Sequence, residues 1–149
     1  MKIQVQSADF DVAEELRALK SHPKVGAVAM FVGCVRDMND GQSVTAMELE
    51  HYPGMTEKSL AQIVQKACSR WPLDEVTVIH RVGPLKPTDQ IVFVGVASSH
   101  RQDAFLACEF IMDWLKTEAP FWKKESRPLG TKWVEAGDED QSAKERWNS

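Results

Sequence analysis

With 149 residues, of which 43% are hydrophobic and 27% charged, the chain has the apolar content of one compact globular domain. Its 18 basic residues against 22 acidic ones give a net charge of −4 without a lysine-rich stripe, which excludes bulk nucleic-acid binding, where clustered cations must neutralise phosphates. No apolar stretch is long enough to cross a bilayer, and the opening MKIQVQSADF lacks the apolar core of a signal peptide, so the expected location is the cytosol.

Lys2 to Gln6 alternates as a short strand, and Asp9 or Asp11 can cap a helix buried through Val12, Leu16 and Leu19 and ended by Pro23. Val25 to Val32 is a second buried strand. Gly33-Cys34-Val35-Arg36 follows, and Asp37 to Ser43 is expected to be a mobile polar loop. Val44 to Tyr52 alternates, with Met47 and Leu49 inward and Glu48 and Glu50 outward. After Pro53-Gly54, a helix from about Thr56 to Arg70 buries Leu60, Ile63, Val64, Ala67, Cys68 and Trp71. Val76 to Val82 reads as a strand closed by Gly83-Pro84, and Leu85 to Gln90 connects it to the next.

Ile91 to Ala97 is nearly all apolar, which suits a strand covered on both faces. Ser98 and Ser99 are expected to cap the next helix, whose apolar face is Ala104, Phe105, Cys108, Ile111, Met112 and Leu115. His100 and Arg101 fall at its N-terminus, where the helix dipole disfavours two cationic side chains unless an anion joins them. Pro120 stops the helix near Lys116 and sends Phe121 to Glu125 off as an extended segment. In one unbroken helix Lys116 and Lys123 would be ~10 Å apart along the axis, whereas the break lets both ammonium groups converge on one pocket.

Each of these cations has an ordinary explanation. A lysine at a helix end serves the macrodipole and solubility, a histidine beside serines caps, and Arg36 at a strand end pairs with surface carboxylates. What sets them apart is several cationic positions around one short helix in an acidic chain. Pro128 and Gly130 mark a turn, and Thr131 to Glu135 a last strand. Residues 1–136 form the expected domain, and residues 137–149 a polar C-terminal tail, solvated or a frayed surface helix. Helices interspersed with hairpin-linked strands give an α+β class, a mixed or antiparallel sheet with helices packed on it. The three cysteines, Cys34, Cys68 and Cys108, form no disulfide framework, with Cys68 and Cys108 expected in the core. The four histidines include no metal-ligand pair, and no phosphate-binding glycine loop is present.

Four blocks, LEHYPGMTEKSL from Leu49, VTVIHRVG from Val76, IVFVGVASSHR from Ile91 and FIMDWLKTEAPFWKKE from Phe110, together resemble the large, catalytic subunit of molybdopterin synthase. The resemblance covers nearly the whole chain. It implies an α/β-hammerhead-like fold and a cytoplasmic sulfurtransferase of molybdenum cofactor biosynthesis, which converts cyclic pyranopterin monophosphate to the dithiolene of molybdopterin. The implied sulfur donor is the C-terminal thiocarboxylate of a small ubiquitin-like carrier ending in Gly-Gly. The implied assembly is a homodimer flanked by two carriers, a 2:2 heterotetramer, with no metal or other cofactor. By matching position, Lys116 and Lys123 are the catalytic lysines, and Arg36, His100 and Arg101 contact the substrate's anionic groups. Cys34, Val35, Lys124 and Glu125 line the same positions. Lys116 is expected to handle protons or bond the substrate transiently, and Lys123 to hold the carrier's terminal carbonyl. The competing readings are a module that only docks a ubiquitin-like tail or phosphorylated ligand, and a phosphate-ester hydrolase using His100.

Overall fold

The most apolar run of the sequence becomes the centre of the molecule. In the computed structural model, which describes residues 1–39, 41–127, 130–134 and 138–148, this run is β8 (Gln90–Ser98). It is flanked by β6 (Glu75–Arg81) and β2 (Ala27–Cys34), with β1 (Lys2–Gln6) outside β6, in a sheet ordered β1-β6-β8-β2. The β1–β6 pair is parallel; the β6–β8 and β8–β2 pairs are antiparallel. Alternation along the strands then divides the core. Val76 and Val78 of β6 and Val92, Val94 and Val96 of β8 meet α2 (Met55–Arg70) and α3 (Arg101–Glu118) through Leu60, Val64, Phe110 and Ile111. Ile79, Phe93 and Ala97 face the other way, against Leu19 of α1 (Val12–Leu19). Asp11 caps α1, its carboxylate accepting from the N–H groups of Ala13 and Glu14.

A second sheet is ordered β10-β9-β5-β7, from β5 (Ala46–His51), β7 (Gly83–Leu85), β9 (Phe121–Arg127) and β10 (Gly130–Val134). Its buried face is Met47, Leu49 and Leu85, packed with Val35 and Ile91. The described chain closes with α4 (Asp138–Glu145) and a 3-10 turn, Arg146–Asn148. No helix among the described residues is long and apolar enough to cross a membrane. The turn at Pro128 and the boundary between residues 136 and 137 lie outside the described residues.

Several expectations are corrected. The segment after Arg36 forms a short ladder, β3 (Met38–Asn39) against β4 (Gln42–Ser43), with Gly41 at φ 74°; Asp-Gly is a hairpin signal. β6 ends at Arg81, just before Gly83-Pro84, but the connection that follows is not all loop, because Gly83–Leu85 forms β7, paired to β5 in the second sheet. Ser98 and Ser99 do not cap α3. Their hydroxyls donate to the carbonyls of Pro72 and Lys24, and His100 holds the N-cap position without a side-chain capping bond. Phe105 is 65% exposed because the buried stripe of α3 runs through Ala104, Ala107 and Cys108, one position to its side, and Cys68 is exposed as well. The C-terminal segment is not a solvated tail. Arg146 pairs with Glu109 and Asp113 of α3, Trp147 Nε1 donates to Asp113 at 2.6 Å, and its ring packs on Trp71 and Phe110.

Between β7 and β8, Thr88 sits at φ 77° in a turn closed by Asp89 N–H donating to the Lys86 carbonyl at 3.0 Å. The left-handed region costs a β-branched residue roughly 1–3 kcal/mol, while glycine gives back roughly 0.5–1 kcal/mol in unfolded-chain entropy. Thr88→Gly is therefore expected to stabilise the fold by about 1 kcal/mol in urea unfolding. A loss of stability would show that the turn is unstrained.

Candidate active site

A cleft of about 360 Å³ opens between the two sheets at the C-terminal end of α3. Pro120 creates it. Ala119 leaves the helix at φ −78°, ψ 132°, in the extended region a proline demands of the residue before it, and β9 starts two residues later. Lys116 on the last turn of α3 and Lys123 on β9 consequently line the same cleft. Lys123 pairs with Leu49 and Glu125 with Met47 across β9 and β5, so both charged residues lie on the inner face of the second sheet. Cys34 reaches the cleft at the end of β2, where a register shift between Gly33 and Cys34 against β8 breaks the ladder.

The electrostatics are those of a site waiting for an anion. Burial, then the charge of Lys116, then that of Arg36 lower the Lys123 pKa, while Glu125 and Asp140 oppose the shift. Glu125 is buried and Val35 belongs to the core beside it. Arg36 is exposed and lies in a neighbouring hollow with Pro87 and Thr88, where the Val35 N–H donates to the Asp89 carbonyl and the Thr88 N–H to the Val35 carbonyl, both at 2.9 Å. The side chain of Lys124 lies outside the description. Among the described residues no group of three or more His, Cys, Asp or Glu side chains is placed to hold a metal.

His100 and Arg101 are not brought to this cleft by their own chain. Arg101 opens α3 and Lys116 lies fifteen residues on, roughly 22 Å along the axis. The strand end next to Arg36 carries Gln90, because β2 and β8 run antiparallel with Cys34 opposite Gln90 and Ala27 opposite Ser98. His100 therefore stands at the far end of the sheet.

Two cleft residues escape a reading of the sequence. Asp140 comes from α4, in a segment whose composition says only that it is polar. His80 carries a faint signal, as the polar member of the alternation Val76, Val78, His80 on the buried face of β6. It is 5% exposed, its ring stacks on Phe121 at 3.7 Å and 16°, and burial first, then the charges of Lys116 and His51, push its pKa down to about 4 against the opposing hydrogen bond to Arg81. Between this value and the ordinary His value of about 6.5 the unfolded chain binds more protons than the folded one, so the stabilising contribution is complete above about pH 6.5 and is lost as pH falls towards 4. The shift corresponds to roughly 3 kcal/mol between those limits. Urea unfolding from pH 4 to 7 is expected to show the slope in the wild type and to flatten in His80→Gln.

A half-enclosed cleft between the two sheets, lined by Lys116 and Lys123 together with His80, Cys34 and Asp140, has the form of a small-molecule enzyme site rather than of a scaffold. The sequence pattern of the MoaE protein family matches residues 5–118, so the chain belongs to that family. Over 146 residues it is 61% identical to the molybdopterin synthase catalytic subunit of Ralstonia nicotianae, covering 97% of this chain and 83% of that protein. It is 60% identical to that of Salmonella typhimurium, covering 98% and 97%. Among solved structures, the molybdopterin biosynthesis MoaE protein of Burkholderia ambifaria superposes with a TM-score of 0.85 at 55% identity, covering 99% of this chain and 98% of that one.

Proposed function

We propose that the chain is the catalytic subunit of a molybdopterin synthase, passing sulfur from the C-terminal thiocarboxylate of a small ubiquitin-like carrier to cyclic pyranopterin monophosphate to build the dithiolene. The observation that carries this reading is the convergence of Lys116 and Lys123 in one cleft from either side of the Pro120 break. Both reactants are anions, and fixed cations offset the repulsion of bringing them together. Arg36 at the rim suits the phosphate, since a guanidinium donates two parallel hydrogen bonds to adjacent oxygens. The lysine whose surroundings favour a neutral amine is Lys123, so proton transfer is assigned to it and the fixed charge to Lys116. The reaction so read takes place in the cytosol and uses neither a metal nor another cofactor. A carrier ending in a plain carboxylate is expected to bind and give no product, whereas the thiocarboxylate form gives dithiolene; product from both would refute the reading.

His100 and Arg101 serve the same reaction only if a second copy of the chain delivers them, which fits a homodimer flanked by two carriers. In mixtures of Lys116→Ala and Arg101→Ala, each strongly impaired alone, half of the dimers are mixed and each of those has one intact site. About a quarter of wild-type activity should return on subunit exchange. No recovery from demonstrably mixed dimers would place His100 and Arg101 outside the site.

A further inference from the structure

Lys116, the fixed charge of the cleft, can only donate hydrogen bonds, since an ammonium group carries donors and no acceptor. His80 lines the same cleft and is held in one tautomer. Its Nδ1 lies 2.8 Å from the Arg81 carbonyl oxygen, and since a carbonyl only accepts, Nδ1 carries the hydrogen. Nε2 is then an unprotonated lone pair. It has no hydrogen-bond partner among the described residues and is not one of the polar atoms sealed from solvent without a partner, so it opens onto the cleft. Stacking on Phe121 fixes the plane of the ring. An unpartnered acceptor on a side chain only 5% exposed is costly unless a ligand uses it.

We propose that His80 is a positioning residue of this cleft, its Nε2 accepting a hydrogen bond from an N–H group of the incoming ligand while the lysines hold that ligand's anionic end. This rests on the sulfur-transfer reading, which supplies two sources of such a donor: a backbone amide of the carrier's Gly-Gly tail, or a ring N–H of the pterin. A neutral imidazole suits the position, because an imidazolium would repel Lys116 and leave no acceptor. Burial and the charge of Lys116 hold it neutral, although the Asp140 carboxylate lines the same cleft.

The test is nitrogen-15 NMR of the imidazole in the full-length wild type. Free protein should show protonated Nδ1 and bare Nε2. Saturation with plain-carboxylate carrier, or separately with a reduced pterin monophosphate, should move the Nε2 resonance towards that of a hydrogen-bonded nitrogen, and the one that moves it identifies the donor. An unmoved Nε2 with both probes bound at saturation overturns the proposal. Two variants separate positioning from packing. His80→Gln keeps an acceptor near the Nε2 position and His80→Phe keeps only the ring, while both lose the bond to Arg81. His80→Phe should raise KM about tenfold, the worth of one hydrogen bond, with His80→Gln within about threefold of wild type. Equal losses in the two folded variants would reduce His80 to a core residue. Because wild-type product formation is read separately, failure of the sulfur-transfer reading and failure of this assignment are distinguishable.

Discussion

Lys116→Ala is expected to lower the single-turnover rate of dithiolene formation by roughly 10²–10³-fold, the usual cost of deleting a fixed charge-stabilising group from a water-poor site, with carrier binding largely kept. Lys116→Arg should retain far more of the rate, because a guanidinium supplies the same charge from the end of α3. The coupling to Lys123 adds a sign that a merely structural lysine would not produce. The Lys116 charge is one of the causes lowering the Lys123 pKa, second to burial, so its removal raises that pKa. If neutral Lys123 is the proton acceptor, activity rises with pH through its pKa, and Lys116→Ala moves this rise to higher pH while Lys116→Arg leaves it in place. A loss in Lys116→Arg as deep as in Lys116→Ala would instead make Lys116 the proton-transfer or covalent residue.

Phe110→Ala should be the most damaging single truncation for stability, at about 3–5 kcal/mol in denaturant unfolding. Phe110 is 1% exposed and meets Trp71, Trp114 and Trp147 at ring-centroid distances of 5.5, 5.6 and 5.5 Å. The loss would be a large part of the 5–15 kcal/mol typical of a domain, and it would also remove the seat of the C-terminal segment, which Arg70 holds through a 3.0 Å bond to the Trp147 carbonyl. That segment carries Asp140 to the cleft, so the truncation reaches the site as well as the core. Phe105→Ala, on the exposed side of the same helix, should stay within about 0.5 kcal/mol of wild type. Similar values for the two would mean that the aromatic cluster is not the packed unit described.

The strands and helices were legible wherever pattern and partner agree. The apolar run of β8 demanded cover on both faces and has it, and Pro120 demanded a break and produces the turn that joins Lys116 to Lys123. The same reading misjudged what long-range packing decides. Phe105 fits a helical stripe by spacing yet faces solvent, and nothing around Trp147 announces that its ring will lie against Phe110. Ser98 and Ser99 are good capping residues, yet their hydroxyls bond the carbonyls of Pro72 and Lys24 instead. Within the site, the lysines were visible as cations gathered around one helix of an acidic chain, with a proline break that lets them converge, and their catalytic role came from the family resemblance. His80 was not, because a histidine in a buried strand looks like any core residue until its one free nitrogen is seen to open on a cleft. The grouping of His100 and Arg101 with the lysines could not be judged from sequence at all, since the register of β2 against β8 decides it.

The central claim is that sulfur leaves a carrier's thiocarboxylate and arrives on the pterin within this cleft. Its most direct test is a single turnover of cyclic pyranopterin monophosphate with carrier whose thiocarboxylate bears sulfur-34, followed by mass analysis of the dithiolene. The account predicts the label in both sulfurs of the product. Unlabelled dithiolene, or no product from folded protein that binds the labelled carrier, would contradict it.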